Sequence, residues 1–313
     1  MLGDQVMRDI TFIKTISQLN ELMGTDKPSH PLISIDYFDL NKPEKSCCNS
    51  IDKRYVLELY QIVLEEGAEG KLRYGGSTYD FQEGSLIFLK PGQMFYSDGS
   101  YKSYHNKGWS LSFHPDLIRK TDLGDKIDDY SFFSYDANEA LYLSDKEKKF
   151  ILNIVQTIEQ EYCHIIDKHS NELIITNLKL LLDYSKRYYD RQLYTRTNLN
   201  KDIVSRFEKL LKDYYKQNKQ LELGIPSVKY CGEELQMSPN YLSDLLRKET
   251  GRNALDHIHH YVIEKAKTNL LNTADGISQV AFDLGFEHAP YFSKLFKKKT
   301  GMSPKDYIQK AEN

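Results

Sequence analysis

The sequence predicts an α+β protein with a strand-rich N-terminal domain and an all-helical C-terminal domain. The chain has 313 residues, which is more than one hydrophobic core usually holds. Short β-branched runs separated by glycine-containing turns fill the first part, and apolar residues at helical spacing dominate the rest. The predicted boundaries are residues 1–192 for the N-terminal domain, 193–201 for a polar linker and 202–313 for the C-terminal domain.

The N-terminal domain begins with an amphipathic segment from Ile10 to Met23, for which we expect one helix packed on the strands. Four runs between about Leu32 and His114 are typical of strands in a small barrel or sandwich: ISIDYF, YVLELYQIVL, SLIFL and GWSLSFH. Several aromatic and basic side chains on these strands are candidates for a small-molecule pocket, and core or surface positions explain them equally well: Tyr55, Tyr60, Tyr74, Tyr79, Tyr96, Arg54, Arg73 and Trp109.

Two flanking helices are predicted to complete this domain. Ser144 and Glu147 have the spacing of a capping box, and an apolar stripe follows them, so we expect a helix over about 145–165. A second helix is predicted from Asn171 to about Tyr189. The apolar surface that these helices expose is a candidate dimer face, and packing within the chain is the alternative.

An internal repeat organises the C-terminal domain. The segments PNYLSDLLRKETG and APYFSKLFKKKTG begin at Pro239 and Ala289 and align without gaps at an offset of 50, whereas the preceding residues align at 49. Each copy predicts a helix, a tight turn and a second helix, which is a helix-turn-helix unit. Ser238 is the predicted N-cap of the second helix in the first copy, with Pro239 after it. A connecting helix is predicted over residues 254–272.

The outward face of each second helix carries the candidate functional residues. Side chains that can hydrogen-bond or contact base edges in the major groove are Asn240, Ser243, Asp244, Ala289, Pro290, Ser293 and Lys294. Cations that can reach phosphates are Arg247, Lys248, Lys297, Lys298 and Lys299. A single copy is explained equally well as the solvated face of a helical domain. The duplication of the turn favours DNA binding.

Charge is unevenly distributed along the chain. The formal net charge is −3, but the part from Arg196 onward contains 19 Lys and Arg against 15 Asp and Glu. This part therefore has a balance of +4, and the part before it has −7. Binding to phosphates depends on the local field, so the global negative charge does not exclude a DNA ligand.

Other classes of protein receive little support. No apolar stretch approaches membrane-spanning length and the N-terminus does not have the pattern of a secretory signal, so we expect a cytoplasmic protein. The histidines at 257, 259 and 260 lack further ligands, and the four cysteines lack the spacing of a zinc site. We therefore expect no metal and no cofactor. No catalytic motif at a recognisable spacing indicates an enzyme.

The C-terminal residues resemble the AraC/XylS family of transcription regulators. The segments that carry the resemblance are YLSDLLRKETG, ISQVAFDLGF, YFSKLFKKKTG and MSPKDYI. The resemblance implies a double helix-turn-helix DNA-binding domain. It also implies that the N-terminal part is a cupin-like β barrel with two flanking helices, serving as sensor and dimerisation domain; GSLIFLKPG, from Gly84, is similar to its strand-turn segment.

Two positions depart from the family pattern. Pro290 stands where serine or glutamine is usual, and Asp244 stands where many relatives have arginine. Proline in a first helical turn is tolerated, although a side-chain contact is lost there. Asp244 either accepts a hydrogen bond from cytosine N4 or keeps clear of phosphate.

The sequence thus predicts a sequence-specific DNA-binding transcription regulator with double-stranded DNA as its partner. Further candidate partners are a small-molecule effector that controls the protein through the N-terminal domain, RNA polymerase and a second copy of the chain. Two alternatives stay open: a metal-independent cupin enzyme with a helical appendage, and a helical adaptor that binds protein. Neither alternative explains the duplicated turn. Assays for catalytic turnover and for salt-sensitive DNA binding distinguish an enzyme from a DNA-binding regulator.

Overall fold

A computed structural model describes residues 10–38, 53–66, 73–74, 77–78, 84–97, 107–136, 139–163, 167, 169–195, 197–272 and 276–312. The chain divides into two compact units, residues 1–192 and 193–313. Strands lie in the first unit and the second is helical, which confirms the α+β class. Within these described ranges, no helix combines the length and the apolarity needed to cross a bilayer.

The strands of the first unit form two sheets in the described part of the chain. In chain order they are β1 (Ile10–Ile13), β2 (Ile33–Phe38), β3 (Lys53–Leu57), β4 (Tyr60–Glu66), β5 (Arg73–Tyr74), β6 (Ser77–Thr78), β7 (Ser85–Leu89), β8 (Gln93–Ser97), β9 (Lys107–Phe113) and β10 (Leu141–Tyr142). The sheet orders are β1-β3-β8-β5-β6 and β10-β7-β4-β9-β2. The described strands do not close into one barrel, so the predicted barrel is not confirmed. Tyr79 lies outside the described residues.

The second sheet has one apolar face and one mixed face, and both contain buried residues. Trp109, Leu111 and Phe113 alternate with Ser110 and Ser112 along β9, so the two sets point to opposite sides. The apolar face continues across β4 to Phe88 on β7, and it packs against short 3-10 helices and the helix over residues 170–195 through ring contacts of Phe88 with Phe132 and Tyr189. Buried polar residues of the opposite face are Ser34, Glu65, Ser85, Ser110 and Ser112.

The predicted single helix over Ile10 to Met23 is wrong in its first turn. Residues 10–13 form β1, which pairs in parallel with β3, and helix α1 covers Ile16–Met23. The β-branched run ITFI favours a strand. Thr15 then caps α1, because its side-chain oxygen accepts a hydrogen bond from the Gln18 amide at 3.2 Å.

Both helices predicted after the strands are present. Helix α2 (Asp122–Lys126) precedes them, α3 is Asp145–Cys163 and α4 is Ser170–Thr195. The Ser144–Glu147 capping box is confirmed, since the Ser144 amide donates to Glu147 Oε2 at 2.8 Å and the Glu147 amide to Ser144 Oγ at 3.5 Å. The Ile35 amide donates to the Tyr162 hydroxyl at 3.0 Å, which ties α3 to the edge strand β2.

The segment 193–201, predicted as a linker, is helical on both sides of residue 196. Helix α4 continues to Thr195, and α5 begins at Thr197. Leu193 is buried in the last turn of α4, and buried residues at helical spacing follow from Ile203 to Phe207. A helix tolerates polar residues between such buried positions. The polar composition of the segment was interpreted as a linker because composition alone does not show this.

The second unit consists of eight helices in its described residues. They are α5 (Thr197–Lys216), α6 (Gln220–Leu223), α7 (Val228–Leu235), α8 (Pro239–Thr250), α9 (Ala254–Asn272), α10 (Ile277–Asp283), α11 (Ala289–Thr300) and α12 (Pro304–Glu312). Helix α9 has the predicted bounds. Helix α9 packs against α8, α10, α11 and α12, and it buries Ile258, Val262, Ala266 and Leu270 among them.

Candidate DNA interface

The two predicted turns begin with the same hydrogen-bond pattern. In the first, the Met237 amide donates to the Gly232 carbonyl at 2.9 Å, and Gln236 between them is left-handed with φ 59°. In the second, the Phe286 amide donates to the Ala281 carbonyl at 3.0 Å, and Gly285 has φ 92°. Both are Schellman-type helix ends. The repeat seen in the sequence is therefore a repeat of backbone structure.

The first turn brings the chain close to helix α7 at Gly232. A Cβ on Gly232 would lie 2.5 Å from the Met237 carbonyl oxygen, so a side chain at this position would clash with the backbone. Helix α8 then starts at the predicted cap, because Ser238 Oγ accepts from the Tyr241 amide at 3.2 Å. Pro290 lies in the first turn of α11 and does not interrupt that helix.

Helices α8 and α11 also end in the same way. The hydroxyls of Thr250 and Thr300 each donate to a carbonyl one turn earlier, on Leu246 and Phe296, at 2.8 Å. A left-handed glycine follows each threonine. The chain therefore presents two helices of equal length with matching ends, as a duplicated reader requires.

On α8, the predicted base readers and the cations share one surface. Asn240 is exposed and Ser243 is half-buried, on the side opposite the buried leucines of the helix. Asp244 is ion-paired with Arg247, with 3.2 Å between Oδ1 and Nη1. The side chain of Asp244 is 19% exposed and that of Arg247 is 58% exposed. The carboxylate of Asp244 is thus engaged with a neighbour on its own helix.

On α11, the outward surface is more basic. Pro290, Lys294, Lys297 and Lys298 are exposed. Two further predicted readers, Ala289 and Ser293, are half-buried on the same helix.

Lys299 is set apart from the other lysines of α11. Its Nζ lies 2.9 Å from Asp256 Oδ1 on α9, and this hydrogen bond lowers the pKa of Asp256. The structure therefore joins Lys299 to α9 and leaves Lys297 and Lys298 on the outward side.

The two helices differ in charge at matched positions. Asp244 corresponds to Lys294 and Glu249 to Lys299 at the offset of 50, whereas Arg247 and Lys248 correspond to lysines. The charged side chains of α8 therefore balance, and those of α11 sum to +4. Phosphate attraction is expected to be concentrated on α11.

One exposed residue of α11 was not assigned from the sequence. Tyr291 is 54% exposed in the first turn, although the aligned Tyr241 is 5% exposed. The Tyr291 ring lies 5.9 Å from the ring of Phe286 in the turn. Tyrosine hydroxyls commonly contact the DNA backbone. The alignment of the two repeats did not single out Tyr291, because an identical tyrosine at the aligned position suggested the same environment.

His257 and Cys231 of the second unit are packing residues. His257 Nε2 lies 2.7 Å from Thr250 Oγ1 and its ring contacts Phe207. Burial lowers the pKa of His257 and raises the pKa of the Cys231 thiol to about 12. Among the described residues, no three His, Cys, Asp or Glu side chains are grouped to hold a metal ion.

Protein-family models and known sequences both show similarity to this chain. Residues 231–310 match a family described as a helix-turn-helix domain. The chain is 32% identical over 113 residues to the uncharacterized transcriptional regulatory protein YesN of Bacillus subtilis, covering 34% of this chain and 28% of that protein. It is 38% identical over 71 residues to the arabinose operon regulatory protein of Salmonella typhimurium, covering 23% of this chain and 25% of that protein.

This part of the chain is therefore similar to the helix-turn-helix regulators of the AraC/XylS family.

One relative matches a larger share of the chain. A longer match is 27% identical over 157 residues to the HTH-type transcriptional regulator YijO of Escherichia coli, covering 49% of this chain and 50% of that protein. The matched part of the chain thus spans half or less of these relatives' lengths. Among solved structures, the C-terminal domain of AraT, a response regulator from Geobacillus stearothermophilus, is 31% identical, covering 34% of this chain and 84% of that chain, with a TM-score of 0.30.

Proposed function

We propose that this protein is a sequence-specific DNA-binding transcription regulator, with α8 and α11 as its reading helices. The matching turns and C-terminal ends of these two helices are the observation that carries the proposal. Base contacts are assigned to Asn240, Ser243, Ala289, Pro290, Ser293 and Lys294, and phosphate contacts to Lys248, Lys297 and Lys298. The proposed ligand implies the compartment that holds the chromosome, which in bacteria is the cytoplasm.

Helix α9 supports simultaneous reading by both helices. It has 19 residues, so its length is about 28 Å at 1.5 Å per residue. Successive major-groove faces of DNA are about 34 Å apart. A rigid helix packed against both α8 and α11 suits this spacing.

Selection of bound fragments from genomic DNA by the full chain tests the proposal. We expect recovery of a common sequence motif and binding that weakens steeply with salt. Turnover of a small-molecule substrate without DNA binding would instead support the enzyme alternative. The recovered motif also provides the specific duplex for the variants below.

Lys294 and Lys298 are expected to contribute differently to affinity. Lys294→Ala should weaken binding to the specific duplex more than to random duplex, since Lys294 lies among the base-reading residues. Lys298→Ala should weaken both about equally, because a phosphate contact carries no sequence information. Competition binding with both duplexes measures this, and equal losses in the two variants on the two duplexes contradict the assignment.

We also propose that the first unit binds a small polar effector. The buried serines and Glu65 on one face of the second sheet place hydrogen-bonding groups in the interior. Ser85 Oγ is buried without a hydrogen-bond partner among the described residues, and such a group favours a ligand that pairs with it. Burial raises the pKa of Asp36 next to this face, so an anion would be disfavoured and an uncharged polar molecule is expected.

Ligand-induced stabilisation tests the effector proposal. Trp109 is the single tryptophan of the chain and reports unfolding of the first unit through its fluorescence. A neutral hydroxylated metabolite at 100 times its Kd should stabilise the unit by about 2.7 kcal/mol. Ser85→Ala should reduce this shift without destabilising the free protein. A panel that produces no shift contradicts the proposal.

Two further partners belong to this proposed function. Leu173 and Leu180 on α4 are 43% and 41% exposed and lie seven residues apart, which suits a contact with the same helix of a second copy. Sedimentation at micromolar concentration distinguishes a dimer from a monomer of 36.5 kDa. RNA polymerase is proposed as the partner on which a DNA-bound regulator acts.

A further inference from the structure

We propose that Arg247 recognises a guanine in the major groove and that Asp244 positions its guanidinium group. The inference rests on the proposed function, because it names the base that α8 reads. It replaces the phosphate contact that the charge of Arg247 alone suggests. It also assigns Asp244 to orientation of a neighbour in place of direct base reading.

The position of Arg247 on α8 suits a base contact. It lies four residues after Ser243 and seven after Asn240, so the three residues share one face of the helix. Leu242, Leu245 and Leu246 lie on the opposite, buried face. An exposed arginine side chain is long enough to extend forward from the third turn toward the groove. Two parallel N–H donors of a guanidinium match O6 and N7 of guanine, which is the commonest specific contact in protein–DNA complexes.

The ion pair restricts how Arg247 can be used. Asp244 Oδ1 lies 3.2 Å from Arg247 Nη1, and the carboxylate is mostly covered whereas the guanidinium is mostly exposed. Exposed ion pairs add little to stability. The chief effect of this pair is therefore geometric, since it holds one edge of the planar group and directs other N–H donors outward. A guanidinium has five such donors, so pairing with Asp244 does not exhaust them.

The carboxylate also makes this location unfavourable for a phosphate. A phosphate bound to Arg247 would approach the negative charge of Asp244, and like charges at such separations repel. A guanine edge is uncharged and meets no such repulsion. The second unit provides the contrast, because Lys294 and Lys297 occupy the matched positions without a carboxylate. The two helices are thus built for different contacts at the same two positions.

Base-analogue substitution in the specific duplex tests the proposal with the full chain. Each guanine in the part of the motif read by α8 is replaced in turn by 7-deazaguanine, which lacks the N7 acceptor. One replacement should weaken wild-type binding by about 10-fold. Arg247→Ala should bind the normal and modified duplexes equally. Asp244→Asn should lose most of the difference, and Asp244→Glu should restore part of it.

Salt dependence and a neighbouring lysine separate the proposal from its alternative. Lys248→Ala is the matched control, and it should weaken specific and random duplex alike while lowering the salt slope by about 0.9. If Arg247→Ala behaves in that same way, or if no guanine replacement is sensed through Arg247, the inference is wrong. Failure of the wild-type chain to bind DNA would overturn the proposed function itself. Thermal unfolding of each variant should stay close to wild type, because the changes lie on the outward face.

Discussion

Replacing Gly285 by alanine is expected to destabilise the second unit by about 3 kcal/mol. Gly285 has φ 92°, a conformation that side chains with a Cβ rarely adopt. A Cβ there would also lie 2.8 Å from the carbonyl carbon of Gly224 and 3.0 Å from the Gln220 oxygen. These atoms belong to backbone and cannot rotate away. Thermal unfolding followed by far-ultraviolet circular dichroism measures the loss.

Gly251→Ala is the matched control for this prediction. Gly251 has φ 76°, also left-handed, but a Cβ there would meet nothing within 4 Å. The cost is then mainly conformational, about 1 kcal/mol. Equal destabilisation by the two substitutions would show that the close approach of residues 220–225 to the turn adds nothing.

Removal of two lysines from α11 is expected to have the largest effect on DNA binding. The Lys297→Ala, Lys298→Ala double variant should lower the slope of log K against log salt by about 1.8, since each phosphate contact contributes about 0.9. Both side chains are exposed, so the fold should be unaffected. Titration of random duplex at salt concentrations from about 50 to about 200 mM measures the change in this slope.

Lys299→Ala provides the control for the lysine prediction. Its ammonium is paired with Asp256, and both side chains are partly exposed. We expect little change in the salt slope and a loss of at most about 1 kcal/mol of stability, as for other partly exposed ion pairs. A slope reduced as much as by Lys298→Ala would place Lys299 on the DNA-facing side as well.

Local sequence signals predicted the reading helices well. Ser238 and Pro239 indicated where α8 begins. The repeat offset of 50 residues then predicted the position of α11. Such signals act over one or two turns, so a single sequence contains them. The start of the chain was harder, because the apolar spacing of residues 10–23 fits a helix until Thr15 is recognised as a cap.

The pairing of the charged site residues could not be read from the sequence. Arg247 and Lys299 were both assigned to phosphate by charge, yet each has a carboxylate partner. The partner of Lys299 is 43 residues away on α9, and only tertiary packing brings the two together. The exposure of Tyr291 is likewise a tertiary property, since the identical residue at 241 is buried.

Helix α9 makes the two reading units thermodynamically inseparable. Its buried side chains belong to the core around α8 and also to the core around α10 and α11, so neither core is complete when the other is lost. We therefore expect the second unit to unfold in one cooperative transition. A substitution such as Gly285→Ala in one reader should lower the melting temperature of both together, and affinity for DNA should disappear in a single step on heating.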